Sequence, residues 1–419
     1  MKKSWYKWEV LGLLWFAFFL NQADRQIYNT LLGDISEFLQ MTPAHAGLVA
    51  TLFTFTMAVF VPVFGFFADK FSKKWIIVFA VLLWSIATVF SGACTGILGF
   101  IIFRSVATGM GEAAFGPANY ALLADYHKES RATAMSIHQT AYYFGVITSG
   151  GLAAWIASNW GWHSAFFVFG SVGVAFGLVM MWRLKDKAPE PDSETHSQNT
   201  IHSKPTMRES VKIFFTTPTV VCLTLAYTGV IFVLQAYLTW TTLFLQEKFG
   251  IGIIEAGFGA VFYTHIAAFA GILIAGRLSD KLALKRPPSR MMLQCVGLVC
   301  AAPFLAAMGF STNIALVYAG FLGFGFFRAF FDANTYSVLY DVVPERFRAS
   351  ATGIKVLVGF GLGSLAPWLM GIIKMEFGLS VGIASLSLVW LFFGLVLLAG
   401  FKLFYQRDFD AARRYDAER

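Results

Sequence analysis

Asp24 and Arg25 sit side by side in the segment NQADRQ, and Arg104 and Glu112 follow in FRSVATGMGEAAFGPAN; all four lie in stretches that are otherwise apolar. Carboxyl groups in such surroundings can take up and give back a proton within a working cycle. A guanidinium matches a carboxylate with two parallel hydrogen bonds, so it can hold an organic anion. Glu112, with Asp24 second, is therefore the expected proton carrier. Arg25 is the expected grip on an anion, with pairing to an acid such as Glu112 as the alternative. Asp24 and Arg104 are expected to pair with each other.

Later in the chain the same kind of residue recurs more sparsely. Arg328 lies among Phe326, Phe327, Phe330 and Phe331 with Asp332 one helical turn on, and Lys355 stands in a further apolar run. An internal Arg328–Asp332 pair competes with a ligand role there. His138, Gln139 and Tyr142 would give one helix a polar wall. Gln235 and Tyr237 could meet hydroxyl groups or hold helices together. Asn334 and, besides its expected pairing with Asp24, Arg104 complete the set of candidate binding residues.

The elements that must position these groups follow from composition. Of 419 residues, 57% are hydrophobic and only 13% charged, with 45 Phe and 12 Trp; a soluble domain has roughly 25% charged residues. Stretches near 20 apolar residues, long enough to cross roughly 30 Å of hydrocarbon, occur near residues 8–30, 45–66, 75–94, 98–122, 133–157, 163–183, 218–243, 255–276, 291–309, 313–337, 350–371 and 381–404. The expected fold is an all-α membrane protein with twelve transmembrane helices in two pseudo-symmetric six-helix bundles. The bundles would be 1–184 and 211–419, joined by a cytoplasmic linker at 185–210, where KDKAPEPDSETHSQNTIHSKP is polar and aperiodic.

Charge sets the orientation. Of the 32 Lys and Arg, Arg25, Arg104, Arg328 and Lys355 fall within spans and only Lys248 and Lys374 on the outer side, when the N-terminus is placed in the cytoplasm. Both termini are then cytoplasmic in an inner (plasma) membrane. The net charge of +8 is thereby explained by topology, without nucleic acid as a partner. An apolar run after Lys2, Lys3 and Lys7 is followed by further spans and no small-x-small site, which opposes a cleaved signal. Cys94, Cys222, Cys295 and Cys300 are expected as packing residues, with no metal site.

The two halves repeat each other. GFFADKFSKK returns as GRLSDKLALKR, and PANYALLADYHKESRATA as DANTYSVLYDVVPERFRASA, aligning Asn119 with Asn334 and Asp125 with Asp341. Laying RATAMSIHQ on RASATGIKV aligns His138 with Lys355, one basic group per half. Parallel repeats of six spans build one large class of secondary transporters.

On these motifs the chain resembles the major facilitator superfamily over essentially its whole length. Gly65, Asp69, Lys70, Lys73 and Lys74 match the family's loop G-x-x-x-D-[RK]-x-G-[RK]-[RK], with Ser72 in place of the last Gly. The resemblance implies that Gly65, Asp69, Lys70 and Lys73, and their repeats Gly276, Asp280 and Lys281, govern changes of access rather than bind solute. NQADRQ, the Arg104–Glu112 segment and GWHSAFFVFG resemble the organic anion:cation symporters, which carry sugar acids and sialic acid; spinster-type transporters share some of these features. The implied activity is proton-coupled uptake of a hexuronate, aldonate or sialic acid by alternating access, with spinster-like export of a lysolipid or drug as the alternative. The proton is the expected coupling ion, with sodium as the other choice. A small-molecule substrate, the lipid bilayer and a monomeric state are the expected partners and form.

One spacing departs from that pattern. Those families place the Arg seven residues before the Glu, whereas Arg104 and Glu112 are eight apart. At about 100° per residue, eight turns the two side chains about 80° apart. Either the helix carries a bulge or Arg104 points elsewhere. Nothing resembles a nucleotide-binding loop, and no enzyme constellation or cofactor site stands out.

Overall fold

The computed structural model describes residues 2–128, 130–187 and 206–417, apart from the side chains of residues 2–4, 69 and 132. Helices account for nearly all of it: α1 (Lys2–Thr30), α2 (Leu32–Phe38), α3 (Pro43–Lys70), α4 (Lys73–Gly92), α5 (Ile97–Tyr126), α6 (Arg131–Trp160), α7 (Trp162–Arg183), α8 (Met207–Thr216), α9 (Pro218–Phe249), α10 (Ile253–Ala283), α11 (Ser289–Phe310), α12 (Ile314–Val342), α13 (Arg348–Gly363), α14 (Ala366–Leu403) and α15 (Tyr405–Ala417). Among the described residues, nine stretches are long and apolar enough to cross a membrane, the last of them Glu345–Leu403. The protein is a multi-pass membrane protein.

The chain divides into two compact units. The first comprises Met1–Met41, Leu52–Ser203 and Ile253–Phe258, the second Thr42–Thr51, Lys204–Gly252 and Gly259–Arg419. In the first, α1 packs on α6, and α4 on α5 and α7. In the second, α9 packs on α13 and α14, and α11 on α12 and α14. Small residues allow the close approaches. A Cβ on Gly111 would meet the Trp84 backbone nitrogen at 2.8 Å, and one on Gly325 the Thr264 carbonyl oxygen at 2.1 Å.

Two boundaries differ from the sequence-based expectation. The stretch expected as one span at 350–371 stays within the apolar stretch Glu345–Leu403, but its helix is interrupted for two residues between α13 and α14, where Pro367, in the first turn of α14, cannot supply a backbone donor. Within α14 the chain turns at Gly378, whose φ of 78° and ψ of 165° favour glycine. The linker expected at 185–210 ends earlier than its stated boundary. Residues 207–210 already belong to α8, which Thr206 and Glu209 start with a reciprocal capping box. Residues 188–205 of that linker lie outside the described residues, and Asp186 just before them accepts from the Ser72 hydroxyl and from the Lys74 backbone N–H at 2.8 Å.

Candidate functional site

Neighbouring residues on a helix point about 100° apart, so Asp24 and Arg25 on α1 can serve different partners. Arg25 Nε donates to Glu112 Oε2 at 2.5 Å, and Arg104 Nη1 to Asp24 Oδ2 at 3.3 Å. Thr88 on α4 adds a 2.5 Å hydroxyl bond to Asp24 Oδ1. Both acids and Arg104 are buried, whereas the Arg25 side chain keeps 31% of its surface exposed. Arg104 lies over the Phe53 ring at 4.8 Å and the Tyr28 ring at 5.7 Å. Arg25 Nη2 also reaches Met57 Sδ at 3.4 Å.

The spacing of Arg104 and Glu112 is resolved by the backbone. Residues Ile101–Ala107 of α5 form a π-helical turn, and Arg104 lies inside it. A π-bulge takes up one residue more than an α-turn without rotating the rest of the helix. Eight residues therefore do the geometric work of seven, and both side chains meet α1. The Phe103 carbonyl accepts the wide-turn bond from the Thr108 backbone N–H and a second one from the Thr108 hydroxyl at 2.9 Å. Gly109 brings α5 close to α3, since a Cβ there would lie 3.0 Å from the Phe53 oxygen.

Three candidates are tied into helix packing instead of being held open. His138 is fully buried, stacked on Phe18 with centroids 4.8 Å apart and bonded through Nε2 to Asn119 Nδ2 at 3.0 Å. Tyr237 joins α9 to α10, its hydroxyl meeting the Ala260 oxygen at 2.7 Å and Thr264 Oγ1 at 2.5 Å. Asn334 accepts from the Ser279 hydroxyl and donates to the Phe330 oxygen at 3.0 Å. Gln139 is exposed on α6, while Tyr142 and Gln235 are half-buried.

In the second unit Arg328 Nε stands 3.4 Å from Asp332 Oδ2 across one turn of α12. Asp332, Tyr336 and Tyr340 continue at four-residue steps along one exposed stripe of that helix. Lys355 is enclosed between the rings of Tyr336 at 4.2 Å and Tyr227 at 4.7 Å.

The residues expected to govern access lie at the helix ends. Lys70 sits over the Phe66 ring at 4.1 Å, and Lys73 Nζ pairs with Asp125 Oδ2 at 2.5 Å. The Asp69 side chain lies outside the described residues. In the second unit, Arg290 Nη1 is 3.3 Å from Asp341 Oδ1, and its Nη2 is 3.8 Å from the 80% exposed Asp280 side chain. Lys281 is exposed. The repeat-related Asp125 and Asp341 thus each hold a basic residue at the start of a helix, Lys73 of α4 and Arg290 of α11. Gly65 and Gly276 have no heavy atom within 4 Å of an added Cβ, so packing does not demand glycine at either place.

Sequence reasoning did not find Thr88, Phe53, Met57, Tyr227, Tyr336 or Arg290. Lone hydroxyl and aromatic residues in apolar helices carry no local signal of a partner. The four-residue spacing of Arg328, Asp332, Tyr336 and Tyr340 is the exception, visible in the sequence as one stripe.

Comparison with known proteins places these features in a family context. The family model described as Major Facilitator Superfamily matches residues 14–367. A protein described as "Probable galactarate/D-glucarate transporter GudP" from Bacillus subtilis is 24% identical, covering 89% of this chain and 86% of its own length. Protein spinster of Drosophila melanogaster is 25% identical over 88% of this chain and 62% of the longer relative. Among solved structures, a bacterial homolog of the human lysosomal transporter Spinster, inward-facing and unoccupied, superposes with a TM-score of 0.79 at 20% identity, covering 97% of this chain and 98% of the other.

Proposed function

Because this chain belongs to the Major Facilitator Superfamily, a family of transporters and not enzymes, we propose that it takes up a small organic anion by proton-coupled symport. Hexuronates, aldonates, aldarates and sialic acid are the substrate class, and the sugar-acid relative supports that choice. The fold would comprise twelve spans in two six-helix bundles. The nine apolar stretches lead there once α1 and α6 are added and Glu345–Leu403 is counted as two across Gly378. At roughly 1.5 Å per residue, α1 and α6 each exceed the roughly 30 Å of hydrocarbon. An inner or plasma membrane with both termini in the cytoplasm agrees with the cationic loops.

The observation that carries the mechanism is the Arg25–Glu112 ion pair, in which the acid is buried and the guanidinium part-exposed. Protonation of Glu112 cancels its charge and frees Arg25 to bind a carboxylate with two parallel bonds. Loss of the proton recaptures Arg25 and expels the anion. Asp24, held by Arg104 and Thr88, is the second acid of the relay. Because the set is neutral with an anion bound only when one of its acids carries a proton, proton and anion move together. Lys73–Asp125 and Arg290–Asp341 act at the helix ends as latches on the change of access.

A second reading, export of a lysolipid or drug, draws on the spinster relatives. Proteoliposomes loaded with the purified chain separate the two. Uptake from a panel of sugar acids that rises with an inward proton gradient is expected. Efflux of lipid or drug without competition from any sugar acid would replace the first reading by the second.

A further inference from the structure

Repeat-related basic residues occupy similar aromatic settings in the two units but end differently. In the first unit His138 of α6 lies between Phe18 of α1, stacked at 4.8 Å, and Tyr120 of α5, edge-on at 5.5 Å, and its ring nitrogen bonds to Asn119. In the second unit Lys355 of α13 lies between Tyr227 of α9 and Tyr336 of α12. There the aligned Asn334 turns away to Ser279 and to its own helix. Lys355 Nζ makes no hydrogen bond among the described residues, although the residue is 0% exposed. The polar contact that completes the first arrangement is missing from the second.

The surroundings position the ammonium without bonding to it. Gly359, one turn beyond Lys355, lets the Tyr227 ring lie directly against α13, since a Cβ there would be 2.4 Å from Tyr227 Cδ1. Tyr336 is 46% exposed, so its ring is a cover on one side of the ammonium. Along α12 the same stripe carries Asp332 and Arg328. A stripe with ionisable groups in a spanning helix faces water or protein rather than lipid. Aromatic faces attract the ammonium through their quadrupole and hold it in place without using its three N–H donors.

We propose that Lys355, caged by Tyr227 and Tyr336, is an anion receptor of the second unit that takes a carboxylate of the substrate on its free N–H donors once the Tyr336 ring swings aside. The inference rests on the sugar-acid reading above but does not depend on which ion drives transport. It adds Lys355 to Arg25 as a second contact for the acid groups of the substrate, and Tyr227 and Tyr336 position it.

The test is binding by the purified full chain in detergent, read by calorimetry with D-glucarate and its uncharged alditol D-glucitol as probes. Wild type is expected to prefer D-glucarate. Lys355→Met should weaken D-glucarate at least about tenfold and leave D-glucitol unchanged, Lys355→Arg should restore much of the preference, and Tyr336→Leu should lower it by a smaller factor. Wild-type affinity in Lys355→Met, together with a higher melting temperature of the empty protein, would overturn the proposal by showing a buried charge that only strains the fold. Absence of D-glucarate binding to wild type overturns it as well. Lys355-dependent binding without proton-driven flux would remove the symport reading and leave the receptor standing; proton-driven uptake of D-glucarate with Lys355→Met binding unchanged does the reverse.

Discussion

Arg25 Nε lies 2.5 Å from Glu112 Oε2, joining α1 to the middle of α5. One residue earlier on α1, Asp24 is bound to Arg104. Two acids and two bases share one small volume, and their charges cancel when all are ionised. Any proton or anion that enters must therefore rearrange the set, which gives the first prediction its logic.

Glu112→Gln keeps the shape of the side chain and removes its titration. Accumulation driven by a pH gradient should be lost, while exchange of labelled for unlabelled solute across proteoliposomes is partly kept. Unaltered gradient-driven uptake in this variant would sink the proton role of Glu112.

Removing one partner of a buried pair leaves the other charge uncompensated, at about 3 to 5 kcal/mol. The Asp24 and Arg104 side chains are both nearly enclosed. Arg104→Met should lower the melting temperature sharply, and the double variant Asp24→Asn with Arg104→Met should recover most of the loss. Thermal unfolding in detergent checks this; equal stability of the single and double variants would argue against a coupled pair.

The π-turn at Ile101–Ala107 gives a prediction from chain length alone. Deleting Val106, whose side chain is exposed, should let the turn relax to α geometry with both ion pairs intact and much of the flux retained. Inserting an alanine after Val106 should rotate Arg104 by about 100° relative to Glu112 and abolish flux. If the deletion is as damaging as the insertion, the wide turn has a role of its own.

Glycines of α12 and α13 should respond oppositely to alanine. Gly325 faces the Thr264 carbonyl oxygen at 2.1 Å from an added Cβ, so Gly325→Ala should destabilise by about 1 to 3 kcal/mol. Gly361 has open space around it, and Gly361→Ala should gain about 0.4 to 1 kcal/mol by reducing the freedom of the unfolded chain. Melting temperatures of the two variants decide it.

At the end of α5, outside the spanning stretch, His127 is buried, donates from Nε2 to the Lys7 oxygen at 2.9 Å and meets Ser130 Oγ at 3.0 Å. Burial holds its imidazole below the ordinary value of 6.5. The folded state therefore favours the neutral ring, and the unfolded chain binds the proton more readily. Its contribution to stability is present above about pH 6.5 and falls as pH drops through that value toward the folded pKa. Wild type should lose melting temperature between pH 7.5 and pH 5.5 by more than His127→Gln does; equal losses would remove His127 from the effect.

Much of the architecture and part of the site could be read from the chain alone, because hydrophobic length, charge placement and internal repetition are local quantities. Membrane-length helices, the duplication aligning Asp125 with Asp341, and the proximity of Asp24 to Arg104 all follow from counting along it. The eight-residue gap between Arg104 and Glu112 was a true ambiguity. Sequence gave no preference between a bulge and a rotated Arg104, since both satisfy the same spacing, and only the hydrogen bonding of the folded backbone chose the π-turn. The break between α13 and α14, by contrast, has a local cause in Pro367.

Which partner a buried charge takes was decided by tertiary structure. Helix rotation and approach distance brought Thr88 to Asp24, set Lys355 between two tyrosines and turned Asn334 away from it, while His138, its aligned counterpart, kept Asn119. Those outcomes depend on the mutual placement of helices distant in sequence, and no periodicity within a single helix encodes it.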